Sequence, residues 1–359
     1  MTQRGGAERV ALSLARAFPT AALHTTLYDP EGTFPEFADV DVRPMPINRW
    51  GMLRRHHRLA LPFLARAVSR YPVEADVLVT SSSGWAHGIP TSGRKIVYCH
   101  APARWLYQTD RYAGGEGGAR SRAVTATMRI LGPGLRDWDQ RAAHSADRYL
   151  VNSTVIRHAV RDVYGIEAEV LPPPPANLAA EGIAEAVPGV AQPFVLCVAR
   201  LLPYKNVDAV IDAVAQLPGV GLVVVGDGPE RSRLQERARR IGSTVIAGRV
   251  SDEQLRWLYA NCAGLVAASY EDFGLSPLEA ATFGKPTAAL RDGGYLDTVV
   301  EGRTGTFFET PISGAIAAGV DALLAQEWHP LAITAHAETF SEARFIDRIR
   351  TVVEEVRRR

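Results

Sequence analysis

Two cations, Arg200 and Lys205, follow directly on the apolar run Phe194–Ala199, and two carboxylates, Glu271 and Glu279, lie in the stretch Ser269-Tyr270-Glu271-Asp272-Phe273-Gly274-Leu275-Ser276-Pro277-Leu278-Glu279. An apolar run that ends in a cation and leads into a helix has the form of a parallel strand with a ligand-binding edge, because ligands of open α/β sheets sit beyond the carboxyl ends of the strands. Asn206 is placed to N-cap the next helix. Arg200 and Lys205 would then stand near a helix N-terminus, where a phosphate meets both cations and unpaired N–H groups. A pair of solvated loop charges would look the same in sequence. Gly226-Asp227-Gly228-Pro229-Glu230 follows a second apolar run and resembles the opening of a dinucleotide fingerprint, but Arg231 stands where the third glycine belongs. Pro229 fits the first position of a helix, and a tight turn without a ligand explains these glycines equally well.

Ser276, Pro277 and Glu279 fit the N-cap, N1 and N3 positions of a capping box, so Glu279 has a purely structural explanation. Glu271 has none, since it falls in the loop after a strand. Phe273-Gly274 brings the backbone close to whatever fills the crevice, and a helix opening at 276–279 offers free N–H groups to an anion. Asp292-Gly293-Gly294 repeats the arrangement ahead of another helix. The chemistry open to such a set is the binding of a phosphorylated ligand and the stabilisation of negative charge developing on it.

The elements that must position these residues alternate along nearly the whole chain. Strands are expected at Ala75–Thr80, Arg94–Tyr98, Arg148–Val151, Phe194–Val198, Leu222–Val225, Thr244–Ala247, Gly264–Ala267 and Thr287–Leu290, with helical periods such as Val207–Leu217, Arg231–Arg240 and Asp252–Asn261 between them. That rhythm predicts βαβ units, parallel sheets and helices on both faces. It stops at Leu171-Pro172-Pro173-Pro174-Pro175, which reads as a stiff linker continued by alanine-rich residues 176–190. The expected division is 1–175, 176–338, and a C-terminal helix over 339–359 crossing back to the first domain. Gly5-Gly6-Ala7-Glu8 and the periodic Arg9–Phe18 look like the turn and first helix of a nucleotide-binding unit. Only Met1-Thr2-Gln3-Arg4 stand where a buried first strand should feed that turn. A start codon placed too late explains this better than a real truncation, and extension upstream of Met1 would then raise stability.

Composition narrows the class. At 359 residues, 47% apolar and 22% charged, the chain is a soluble globular protein of two domains, not disordered, collagenous or a coiled coil. Net charge is +1, but residues 1–175 hold 22 Lys+Arg against 16 Asp+Glu and residues 176–359 hold 18 against 23. A basic front half suggests an anionic partner there, and nothing in the whole marks a nucleic-acid binder. Cys99, Cys197 and Cys262 are too scattered for a disulfide framework or a zinc site and read as core residues. No apolar run approaches membrane-spanning length, so the expected location is cytoplasmic, with contact at most on the inner face of a membrane.

Glu271 and Glu279, with seven residues between them, together with Arg200 and Lys205, resemble glycosyltransferase family 4, retaining enzymes of the GT-B fold with two Rossmann-like domains facing a central cleft. The likeness extends through Gly5-Gly6-Ala7-Glu8, Tyr98-Cys99-His100-Ala101-Pro102, Leu135-Arg136-Asp137-Trp138-Asp139, Val151-Asn152-Ser153, Gly226-Asp227-Gly228-Pro229 and Gly293-Gly294-Tyr295-Leu296-Asp297-Thr298-Val299. The Tyr-Cys-His-x-Pro and Asp-Phe-Gly-Leu variants are most similar to mannosyltransferase-like members, which build cell-surface polysaccharides or lipid-linked oligosaccharides. The resemblance implies that Arg200 and Lys205 clamp a donor diphosphate, Glu279 holds ribose hydroxyls and Glu271 the hydroxyls of the transferred sugar. It implies a donor site lined by Phe273, Gly274, Leu275, Ser276, Gly226 and Gly228. His100 would face the sugar, and Gly5, Gly6 and Trp85 would lie on the acceptor and phosphate side. A hexose, with GDP-mannose as the favoured donor, would pass to a glycan or lipid-linked acceptor without a metal cofactor. The linker departs from the family: four prolines and Ala176 replace a proline pair followed by an acid.

Asp39-Val40-Asp41 is the one tempting metal motif, but it lies on a strand edge away from any ligand motif. On the acceptor side, residues 47–66 mix cations with Trp50, Leu53, Leu59 and Phe63, a pattern suited to an anionic membrane surface and also to a solvated helix with a buried face. Ser81–Gly88 follows a strand and would line the acceptor pocket, while Gly114–Gly118 reads as a loop closing over the cleft. Three rival functions remain: a nucleotide-sugar-binding partner without turnover, a GT-B sugar-nucleotide epimerase, and a nicotinamide dehydrogenase. The last requires a complete G-x-G-x-x-G after a strand, which the chain lacks.

Overall fold

A computed structural model describes residues 1–55, 61–107, 132–176, 178 and 182–359. The chain divides into one compact unit of Met1–Pro173 with Glu342–Arg359 and a second of Pro174–Ser341. The proline run thus marks the boundary, but the residues after it are no free linker. Ala176 and Leu178 are buried in the core of the second unit, and Val187 and Val190 pack against it.

The second unit is built on a six-stranded parallel sheet in the order β12-β11-β10-β7-β8-β9. Its strands are β7 (Phe194–Val198), β8 (Gly221–Val225), β9 (Thr244–Gly248), β10 (Gly264–Ala267), β11 (Thr287–Leu290) and β12 (Gly305–Phe308). Runs such as Leu222-Val223-Val224-Val225 are apolar at every position because helices cover both faces of a parallel sheet. The helices Val207–Val214 and Ser313–Ala325 pack on one face and Asp252–Asn261 with Leu275–Thr282 on the other. The chain starts in the middle at β7, builds outward through β8 and β9, then returns to lay β10 against β7 and build the other way. The loops after β7 and β10 therefore diverge and leave a crevice at the switch point, the place where such sheets bind ligands.

The first unit holds two separate parallel sheets: β1 (Leu23–Thr25) with β2 (Val42–Pro44), and β3 (Val77–Ser82), β4 (Arg94–Cys99), β5 (Arg148–Val151) and β6 (Glu169–Val170) in sequential order. Among the described residues no ladder joins the two. Beside β1, the Met1 amino group donates to Leu27 O at 2.6 Å and Asp29 N donates to Met1 O at 3.0 Å. The helix Gly6–Ala17 and the last helix, Glu342–Arg357, pack together over β3 and β4. Val10, Tyr98, Leu150, Phe345 and Ile349 are buried between them. The hydroxyl of Ser13 donates to Glu342 at 2.6 Å, and Arg350 Nε donates to Ala17 O at 2.9 Å, which fixes the pair.

All eight expected strands form, within two residues at each end. The periodicity misses β1, β2 and β6, which at two or three residues are too short to show a period, and β12, where Gly305-Thr306 interrupts the apolar run. All three cysteines are free and buried. Two expected cap assignments are corrected. The helix after β8 begins at Arg231 with Glu230 at its N-cap, so Pro229 precedes it and is not its first residue. Asn206 does hold the N-cap of Val207–Val214, but with φ 53° it turns its side chain away, and Nδ2 donates to Ala268 O at 2.8 Å.

Candidate functional site

The crevice of the second unit is walled by the loops after β7 and β10, and each is locked by backbone contacts. After β7, Ala199 N donates to Val225 O at 3.0 Å and Leu201 N to Asp227 O at 3.0 Å, zipping residues 199–201 to 225–227. This is the role of the two glycines assigned to the donor. A Cβ on Gly226, which has φ 133°, would lie 1.9 Å from Ala199 O, and one on Gly228 would lie 2.3 Å from Leu201 O. The glycines admit a neighbouring carbonyl, and by doing so they place Arg200 at the strand edge.

After β10, Gly294 N donates to Glu271 O at 2.8 Å, and a Cβ on Gly294 would meet the Phe273 backbone at 2.2 Å. Gly293-Gly294 is thus the seat of the Glu271–Gly274 loop, a role the sequence reading did not assign to it. Phe273 is buried and packs against Phe340 with ring centroids 6.1 Å apart. Gly274 takes φ 88° at the N-cap, so the helix starts at Leu275. The expected capping box does not exist: Ser276 is the second helical residue, and no side chain caps this end. A left-handed glycine starts the helix two residues before the Ser-Pro pair would. Glu279 therefore loses its structural explanation. Its Oε2 accepts from the Tyr259 hydroxyl at 2.9 Å, while Tyr259 itself is fully buried and stacks on Phe283. Burial, then the charge of Glu279, push that phenol well above its usual range.

Two of the four charged residues, one from each loop, meet at this edge. Lys205 and Glu271 form an ion pair through Nζ and Oε1, and Ser269 Oγ donates to the same oxygen at 3.1 Å. The Lys205 ammonium lies 5.0 Å from the Tyr204 ring. Arg200 is exposed. Arg200, the Lys205–Glu271 pair and the uncapped N-terminus of the helix Leu275–Thr282 are the groups that these two loops can offer an anionic ligand.

In the first unit His100 follows β4. Its N donates to Ser82 O at 2.9 Å, and its Nε2 lies 2.8 Å from Ser81 Oγ. The residue keeps some exposure, but its ring lies against Tyr98 and burial pushes the imidazole down to about 4. His100 is thus neutral near pH 7, a hydrogen-bonding group with one nitrogen already engaged. The same shift makes a prediction. Because the folded value lies below the ordinary 6.5, the contribution of this group to stability is complete above pH 6.5 and is lost as pH falls toward 4, by up to about 3 kcal/mol. Denaturation series from pH 7 to 4 should show a shallower loss for His100→Gln than for wild type. Equal slopes would show that the ring is solvated.

Gly5 and Gly6 sit at the N-cap and first position of the helix Gly6–Ala17. Trp85 does not line an open pocket: it is buried against Trp105 and Trp138, with ring centroids 4.3 and 5.2 Å away. A tryptophan after a strand reads as either site or core, and here the core takes it. Asp39 closes a short turn, Pro35–Asp39, and Asp41 pairs with Arg43. Gly114–Gly118 lies outside the described residues. Within 47–66, Leu53 and Leu64 are buried, whereas Trp50, Met52 and Phe63 are 66%, 60% and 59% exposed. A cavity of about 400 Å³ has Met45, Asn48, Arg49, Arg54 and Tyr71 among its lining residues. Among the described residues no helix is long and apolar enough to cross a membrane.

The switch-point crevice places the chain among parallel α/β proteins, whose ligands sit at such strand edges. Known proteins agree with that class. Residues 4–174 match the model of Glycosyltransferase Family 4, and residues 183–342 match that of Glycosyl transferases group 1. The chain belongs to glycosyltransferase family 4 and has the GT-B fold. It is similar to a GDP-mannose-dependent alpha-(1-6)-phosphatidylinositol monomannoside mannosyltransferase of Mycolicibacterium smegmatis, 34% identical over 37% of this chain and 39% of the relative. It also resembles a D-inositol 3-phosphate glycosyltransferase of the same organism, 33% identical over 58% of this chain and 53% of the relative. The matched stretches thus span about half the length of such relatives or less. Among solved structures, HepE of Anabaena, in complex with UDP and glucose, superposes with a TM-score of 0.68 at 19% identity, covering 98% of this chain and 96% of that one. Sucrose-phosphate synthase of Thermosynechococcus elongatus gives 0.65 at 17% identity, covering 96% and 90%.

Proposed function

We propose that this chain is a retaining glycosyltransferase that moves a hexose, mannose before others, from a nucleotide-diphosphate sugar to a glycan or lipid-linked acceptor. The observation that carries this reading is the Lys205–Glu271 ion pair at the switch point of a family 4 chain, with Arg200 at the end of the neighbouring strand. Mannose is favoured by the mannosyltransferases among its relatives. In the reaction, the bond from the anomeric carbon to the phosphate oxygen breaks, and its electron pair leaves with the diphosphate. The acceptor oxygen bonds to that carbon on the same face, and its proton passes to the departing diphosphate. Arg200, Lys205 and the N–H groups of the helix Leu275–Thr282 stabilise the charge that grows on the leaving group. Glu279 takes ribose hydroxyls, Glu271 sugar hydroxyls, and neutral His100 orients the sugar without acting as an obligatory base. These fixed cations serve in place of a metal, and activity should survive a chelator.

Thermal shift over a panel of nucleotide sugars, followed by transfer assays with the best binder, tests the reading. No stabilisation by any member would end it. The split sheet of the first unit favours one second reading, a nucleotide-sugar-binding partner without turnover. Tight donor binding with neither hydrolysis nor transfer would decide for it.

The acceptor half of the proposal rests on the first unit. Exposed Trp50 and Met52, flanked in sequence by Arg49 and Arg54, have the chemistry of a surface that inserts apolar groups among anionic headgroups. Flotation with liposomes should recover the protein with anionic vesicles and not with neutral ones. Trp50→Ser with Arg54→Gln should lose most of that recovery. Recovery with neither kind of vesicle would remove the membrane from the account.

A further inference from the structure

The two cations of the crevice are not equivalent. Arg200 is exposed, and among the described residues it has no carboxylate partner, whereas the Lys205 side chain is only 10% exposed and its ammonium is already neutralised by Glu271. A cation sequestered this far cannot be left unpaired cheaply, so a fixed anion beside it is what makes an empty site tolerable. Glu271 is well placed to be that anion. Its backbone is pinned, with its carbonyl accepting from Gly294 N at 2.8 Å and closed in by Gly293, so only its side chain is free to move. Ser269 Oγ, 3.1 Å from the same oxygen, holds the carboxylate toward Lys205. The strand-end loops that carry the two partners are tied by Asn206 Nδ2 donating to Ala268 O at 2.8 Å.

This arrangement bears on a diphosphate, which seeks the same ammonium. We infer that Glu271 occupies the seat of the diphosphate: its carboxylate covers Lys205 while the site is empty, yields the cation to an incoming nucleotide diphosphate, and reclaims it as the nucleotide departs. The inference rests on the donor-site reading above and adds a second task to a residue so far given only sugar hydroxyls. A binding-competent state that must first break an ion pair has its apparent affinity lowered by the fraction of molecules in which the pair is open. The same competition speeds release of the spent nucleotide, a step that limits turnover in many enzymes.

The test uses GDP and UDP, which lack the sugar, so that contacts of Glu271 to sugar hydroxyls cannot enter. Titration calorimetry and stopped-flow dissociation are run on wild type, Glu271→Gln, Lys205→Ala and the double variant, with melting curves to establish that each is folded. Glu271→Gln should bind the preferred nucleotide about tenfold tighter, mostly through slower dissociation. In the Lys205→Ala background the same substitution should change affinity less than about twofold, because the cation under competition is gone. Glu271→Ala, which removes the carboxylate outright, should repeat the gain. Equal or weaker binding by Glu271→Gln overturns the inference, and so does a gain that persists without Lys205, which would mark a diffuse field effect. If wild type binds neither nucleotide, the donor-site reading itself falls, and the inference with it.

Discussion

Lys205→Ala should lower kcat about a hundredfold, with a smaller change in KM. The negative charge of a nucleotide sugar is spread over its diphosphate in the ground state, but it grows on the leaving oxygen only as the anomeric bond breaks. A cation fixed near that oxygen therefore acts mainly on the transition state, and its loss appears in kcat. Lys205 is fixed in this sense: its side chain is largely buried, with its ammonium beside the Tyr204 ring. Arg200 differs. It is exposed, so gripping a diphosphate costs it side-chain freedom. Arg200→Ala should thus raise KM as well as lower kcat, since each charge-assisted hydrogen bond contributes about 1.5–3 kcal/mol. Steady-state kinetics on both variants decide the matter. Rates within threefold of wild type for Lys205→Ala would exclude it from the reacting centre, whatever its place in the crevice.

Much of this edge can be read from the residues alone, and the reason is geometric. Parallel strands covered on both faces appear as unbroken apolar runs, so their ends are visible, and ligands bind at those ends. Arg200, Lys205 and Glu271 are legible because each follows such a run. Glu279 is legible as a candidate, but its capping-box alternative is false. Ser276-Pro277-x-Glu279 satisfies every sequence rule for a capping box, and only the left-handed backbone of Gly274 shows that the helix starts earlier. Gly226 and Gly228 were ambiguous for a related reason. A glycine that admits a ligand and one that admits a neighbouring carbonyl look alike until the carbonyls of Ala199 and Leu201 are located. Partners far apart in sequence leave no local signal at all. Nothing near Glu279 announces Tyr259, nothing near His100 announces Ser81, and the Gly293-Gly294 turn gains its meaning only from the Glu271 loop that rests on it.

Asp139 is the clearest case of such silence, and Asp139→Ala should be the most destabilising single substitution proposed for this chain, at about 3–5 kcal/mol. Its carboxylate has no solvent exposure. Oδ2 accepts from the hydroxyls of Tyr107 at 2.9 Å and Tyr164 at 2.8 Å. Oδ1 lies 3.0 Å from His87 Nε2, close in distance though not aligned as a hydrogen bond. His87 is equally buried: its Nδ1 lies 2.9 Å from Ser82 Oγ, and its carbonyl accepts from Lys95 Nζ at 3.1 Å. One carboxylate thus holds the end of β3, the turn Ala86–Gly88 and the helices Arg104–Tyr107 and Thr154–Tyr164 onto the helix over 132–143. Truncation takes the acceptor from two phenols, that of Tyr164 buried, and opens a gap beside the buried His87 ring, and orphaned buried groups cost more than the bonds they lose. Asp139→Asn, which keeps one acceptor oxygen, should cost less than the alanine variant. Urea denaturation followed by tryptophan fluorescence suits the question, because Trp138 lies 5.9 Å from His87 and packs on Trp85, so the signal reports the neighbourhood of the damage. Since the chain has two compact units, the loss should appear as an early transition of the first unit, with the second melting where it does in wild type. A midpoint for Asp139→Ala indistinguishable from wild type would mean that the knot is solvated and that the first unit is held by its apolar core alone.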